Sequence, residues 1–106
     1  MYLFPFSNVP KGSRIVLYGA GKVGKQFYEQ LLALKYLASV IWVDQDYKIK
    51  QNVKNPKAVK PTDFDYIVIA IKDCVTSNLI KSQLVSAGWD SAKIILPDFE
   101  NCLITI

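Results

Sequence analysis

The chain has 106 residues, 51% of them hydrophobic and 21% charged, with a formal net charge of +4. That length supports one domain with a real core, and that balance excludes a disordered chain. No apolar stretch approaches the roughly 18 residues of a membrane-spanning helix, and the short apolar start lacks the basic lead of a signal peptide, so a cytoplasmic protein without a membrane partner is expected.

Residues 1–13 combine aromatic residues with prolines and close on Pro10-Lys11-Gly12-Ser13, a turn into the first strand. Arg14–Tyr18 is almost continuously apolar, as a parallel strand covered on both faces would be. It runs into Gly19-Ala20-Gly21-Lys22-Val23-Gly24, a G-x-G-x-x-G turn. A helix from about Lys22 to Leu37 follows, with Val23, Phe27, Leu31 and Leu34 at helical spacing and Lys25, Gln26, Glu29, Gln30 and Lys35 largely on the other side. Ala38–Val43 reads as the second strand and closes on Asp44.

The third strand is Tyr66–Ile71. About twenty residues precede it, many for a bare loop, yet Asn52–Lys60 shows no amphipathic period, so no crossover helix is expected there. A short extended piece near Ala58-Val59 and a turn at Pro61-Thr62-Asp63 are expected instead. Asp73 can cap a second helix with apolar positions Val75, Leu79, Ile80 and Leu84, and Gly88 suits its left-handed end. Lys93–Leu96 is the last core strand, stopped by Pro97.

Alternation of strands and helices predicts an α/β, Rossmann-like three-layer domain with a mainly parallel sheet of four to five strands, order 2-1-3-4, and helices on both faces. One domain over 1–106 is expected, with its core in 13–97. Ligands of such sheets bind at the carboxyl ends of the strands, where the order reverses. The glycine turn stands there. Gly19 allows the tight turn, Gly21 lets a ligand approach the backbone, and Gly24 lets the helix pack closely. Backbone donors of Gly21 to Gly24 and the helix dipole suit a pyrophosphate, with Ala20 among the turn's contact residues and Lys22 and Val23 in the first turn.

Asp44 lies 25 residues after Gly19, near the roughly 20-residue spacing of the dinucleotide fingerprint. Its carboxylate can accept from a ribose diol and would repel a 2′-phosphate, which favours NAD or a plain nucleotide over NADP, unless Lys48 and Lys50 compensate. Ile71 and Lys72, after the third strand, are expected to line the same crevice. The competing reading is a packing turn that binds nothing, with Asp44 a simple turn acid.

There is no histidine, which excludes Ser-His-Asp and Cys-His catalysis within this chain and removes the commonest zinc ligand. Cys74 and Cys102 match no metal or redox spacing and are expected as reduced, mostly buried thiols. No metal site is expected. Lys48, Lys50, Lys54, Lys57 and Lys60 occupy a stretch without acids and read as a solvated surface rather than an anion-facing loop. A single arginine and no helix-turn-helix or aromatic–basic pattern argue against nucleic acid. The apolar ends, Tyr2–Phe6 and Cys102–Ile106, either complete this domain's core or sheet edge, or meet a companion catalytic domain or a second copy in a homodimer.

The segments YGAGKVG, WVDQD, FDYIVIAI and IKSQLVSAGW-to-KIILP resemble the small Rossmann-like nucleotide-binding domains of bacterial surface-polysaccharide proteins. Such domains occur in sugar-nucleotide oxidoreductases and dehydratases, and fused to glycosyltransferases or methyltransferases. The likeness spans roughly residues 13–97. It implies that Gly19, Gly21, Gly24 and Asp44 contact NAD or a nucleotide-diphosphate sugar. The chain has room for little more than one mononucleotide half, and Tyr28 and Lys35 in the first helix lack the spacing of a dehydrogenase Tyr/Lys pair, so catalysis by this chain alone is not expected. A binding module is the leading reading. The cofactor half of an oxidoreductase, a non-binding dimerisation domain and a coenzyme A-binding variant are its rivals.

Overall fold

The computed structural model describes residues 2–98. Four strands, β1 (Arg14–Tyr18), β2 (Ser39–Val43), β3 (Tyr66–Ile69) and β4 (Ile94–Ile95), form one wholly parallel sheet in the order β2-β1-β3-β4. Two helices, α1 (Lys22–Leu34) and α2 (Cys74–Ser86), cover its opposite faces. The α/β class, the strand order and the helices on both faces agree with the sequence expectation.

Strand alternation divides the core into two layers. Ile15, Leu17, Val68 and Ala70 meet Val23, Phe27 and Leu31 of α1. Val16, Tyr18, Ile67 and Ile69 meet Ile80 and Leu84 of α2, with Trp89 and Ile94 beside them. Phe27 is fully buried, a contribution of about 1.5–3 kcal/mol on transfer grounds.

The N-terminal segment completes the α1 layer. Phe4 and Val9 are buried, and Phe4 meets Phe27 edge to face at 5.5 Å. Two glutamines of α1 hold its backbone: Gln26 Oε1 accepts from Tyr2 N at 2.7 Å, Gln30 Oε1 accepts from Phe4 N at 2.9 Å, and Gln30 Nε2 donates to Tyr2 O at 2.6 Å. These glutamines, read from the sequence as lying on the polar side of the helix, therefore bind the chain's own start. Among the apolar ends, the first belongs to this domain's core; Cys102–Ile106 lies outside the described residues.

Several boundaries differ from expectation for local reasons. Helix α1 stops at Leu34 because Lys35 turns left-handed at φ 50°, and Gly12 N then donates to Tyr36 O and Ala38 N to Ser13 O. Leu34 is consequently 62% exposed rather than core. In α2, Asp73 caps Thr76 N as expected, and the inward positions are Ser77, Ile80 and Leu84. Val75 and Leu79 face outward, 68% and 60% exposed. Gly88 follows with φ +107°, where a Cβ would be strained. Strand β3 ends at Ile69 and β4 is reduced to Ile94–Ile95, each shorter than its apolar run.

The connection from β2 to β3 contains no α-helix. Lys54 pairs with the outer edge of β2, its N donating to Trp42 O and its O accepting from Asp44 N. Single 3-10 turns follow at Pro56–Ala58 and Pro61–Asp63, with Val59 extended between them. Ala58 thus closes a turn, where an extended piece was expected. Val59 and Phe64 pack on the α2 side of the sheet, so this irregular segment covers the sheet where a crossover helix would otherwise lie.

Candidate functional site

The glycine turn connects β1 to α1 at the carboxyl edge of the sheet. Its three glycines answer to different constraints. Gly19 has φ +116°, and a Cβ there would stand 2.9 Å from Ala70 O. A Cβ on Gly24 would fall 1.9 Å from Gly19 O, so helix and strand can approach only without it. Gly21 has φ −82° and open space around its Cβ position, with nothing within 4 Å. Neither conformation nor packing demands glycine at 21.

Three side chains hold the turn. Asp44 Oδ2 accepts from Ala20 N at 2.7 Å, and its Oδ1 accepts from Asp46 N at 2.7 Å. Trp42, stacked on Tyr28 at 4.4 Å, donates its indole N–H to Gly19 O at 2.7 Å. Lys50 Nζ donates to Ala20 O at 3.1 Å. Gly21 is the N-cap of α1 and no side chain caps that helix, which leaves its first-turn donors facing outward beside an exposed Lys22. Val23 is buried and anchors the helix to the core, so any contribution it makes to a ligand is through its backbone.

Asp44 and Ile71 come together as expected. They share a crevice of about 260 Å³ with Tyr18, Gln45, Thr76 and Gln83, at the switch point between β1 and β3. Tyr18 forms its floor. Burial pushes the Tyr18 phenol above its ordinary value; the Gln45 amide, 3.3 Å away, opposes that, and the charge of Asp44 adds to it. Lys72 does not join the crevice. It lies over the Tyr2 ring, 5.6 Å from the centroid, because the residue after Ile71 points to the other side of the sheet edge. Cys74 is exposed in the first turn of α2 rather than buried, since the Asp73 cap turns that position away from the sheet. Cys102 lies outside the described residues.

Tyr18 and Lys22 stand at Tyr-x-x-x-Lys spacing across the glycine turn. They do not form a pair of the dehydrogenase kind, because Tyr18 is the buried end of a strand and Lys22 an exposed helix start. Among the described residues no three His, Cys, Asp or Glu side chains gather as metal ligands would.

No family model matches the chain, and no curated protein matches it. The site therefore stands on its own geometry. Sequence reasoning missed Trp42 and the role of Lys50. Trp42 was legible in principle: it sits two residues before Asp44, on the face of β2 that alternation turns towards Gly24, and a Cβ on Gly24 would lie 3.5 Å from its Nε1.

Proposed function

We propose that this chain is a nucleotide-binding module, holding NAD or a nucleotide-diphosphate sugar by its diphosphate and ribose. The observation that carries this reading is the open backbone at Gly21. Glycine there leaves an approach to uncapped helix donors, and helix starts of that kind favour phosphate. Asp44 stands beside the turn with lone pairs beyond the two bonds it already accepts, enough for a ribose hydroxyl. The crevice of about 260 Å³ suits a nucleoside more than a whole dinucleotide. The module would act by recognition, and a companion catalytic domain would supply the chemistry. Its resemblance to polysaccharide-associated domains, in YGAGKVG and WVDQD, makes a sugar-modifying oxidoreductase or transferase the expected context.

One feature favours a second reading. Asp44, Trp42 and Lys50 already bond to the turn from within the chain, as they would in a domain that binds nothing and serves to dimerise or regulate. A thermal-shift panel against NAD, NADP, coenzyme A, UDP- and CDP-sugars separates the two. A ligand at a hundred times its Kd adds about 2.7 kcal/mol to stability. A midpoint rise that Gly21→Val removes, measured against that variant's own free midpoint, supports the binding module. No rise with any of them overturns it.

A further inference from the structure

The β2–β3 connection and α2 border an open cavity of about 580 Å³. It shares Tyr18, Gln45 and Gln83 with the crevice beside the glycine turn, then continues over the sheet as far as Trp89. It exists because two 3-10 turns, rather than a helix, cover that part of the sheet. Its size lies within the range of small-molecule sites, and its character fits one: apolar and aromatic walls with few polar groups.

The lining has a definite charge. No carboxylate belongs to it, whereas Lys57 does. Lys57 makes no ion pair with another described residue. Its segment also carries Lys48, Lys50, Lys54 and Lys60, with no acid between Tyr47 and Thr62. Of these, Lys57 alone lines the cavity, and a cation with no carboxylate beside it in the lining raises the local concentration of anions. Asp44 and Asp46 stand in the neighbouring crevice, and Asp63 and Asp90, which follow the lining residues Pro61 and Trp89 in sequence, are not part of the lining. Trp89, 4% exposed, together with Leu84 and Val59 offers the ring surface at the far side. We propose that this cavity is a second binding site, for a small aromatic anion whose ring lies among Tyr47, Leu84 and Trp89 and whose charge meets Lys57. Lys57, part of a stretch read from the sequence as a solvated surface, is then the cation of this site. The proposal does not depend on the glycine turn binding a nucleotide.

The two tryptophans make the test specific. Trp42 reports the glycine turn through its bond to Gly19 O, and Trp89 reports the cavity. The full chain, labelled with nitrogen-15, is titrated with 2-naphthoate and with uncharged 2-naphthamide while both indole N–H signals are followed. The expected result is a saturable shift of the Trp89 signal with naphthoate, the Trp42 signal staying in place. Naphthamide and the Lys57→Gln variant should each bind about fivefold more weakly, the weight of one ion pair near a surface. Ala87→Phe, at the exposed C-cap of α2 on the wall of the cavity, should remove the shift by filling it. A stationary Trp89 signal in the parent chain overturns the site. So does a shift confined to Trp42, or one that survives Ala87→Phe. Equal binding of naphthoate and naphthamide overturns the anion preference and with it the proposal.

Discussion

The carboxylate of Asp44 accepts the backbone N–H of Ala20 at 2.7 Å, tying the end of β2 to the middle of the glycine turn. The acid that would receive a ribose is thus also a part of the turn's own structure. That bond follows from the strand placement, because a parallel β2 beside β1 brings Asp44 level with the turn that follows Tyr18.

Substitution of Asp44 should accordingly affect stability before any ligand is added. Asp44→Ala removes the acceptors for Ala20 N and Asp46 N together, and bonds to a charged acceptor are each worth about 1.5–3 kcal/mol. Asp44→Asn keeps one acceptor oxygen and should lose less. Urea titration of the three proteins should rank them parent, Asn, Ala. An Ala variant as stable as the parent would show that the carboxylate does not support the turn. Ligand effects at this position are meaningful only relative to each variant's own free midpoint.

The glycines should separate cleanly. A methyl on Gly24 meets Gly19 O at 1.9 Å, and backbone atoms on both sides must move to admit it. Gly24→Ala should therefore cost more than about 3 kcal/mol, in the range reserved for severe overpacking. Gly21→Ala adds a methyl into open space and should change stability by less than about 1 kcal/mol. Equal losses in denaturant titration would mean that the turn is not packed as described.

This division marks how far the sequence could be read. The strand order, the glycine turn, the Asp73 cap and the meeting of Asp44 with Ile71 were all legible, because each depends on local pattern or on short right-handed connections. The rotation of α2 was not. Val75 and Leu79 look like core positions by spacing, but the cap fixes where the helix starts, and that start points Ser77, Ile80 and Leu84 inward. The cavity was equally hidden: the absence of a helical period in Asn52–Lys60 was visible, but not that the resulting cover would leave space above Tyr18. Gln26 and Gln30 read only as the side of α1 opposite its apolar set, because their partner is the backbone of a segment distant in sequence.

Acid should weaken the fold through two carboxylates. Asp65 is held below the ordinary carboxylate range chiefly by hydrogen bonds from Arg14, side chain and then backbone, and Asp73 by hydrogen bonds from Thr76, side chain and then backbone. A depressed folded-state pKa contributes stability above the unfolded value, which is lost as pH falls through the folded value. For both groups the loss should begin near the ordinary value of 3.8 and deepen below it. Midpoints of urea unfolding between pH 6 and pH 2 would follow this, and Asp73→Asn should flatten the acid slope. An unchanged slope would remove Asp73 from the account.

Cys74 gives a direct check on the start of α2. The outward-turned first turn of the helix leaves its thiol exposed and without a disulfide. In a Cys102→Ser background, which isolates this thiol, iodoacetamide should modify Cys74 in the native protein at a rate close to that in urea. The product should retain the parent's unfolding midpoint within about 0.5 kcal/mol, as surface changes usually do. Protection of Cys74 until unfolding would place it inside the core and overturn the outward placement of this first turn.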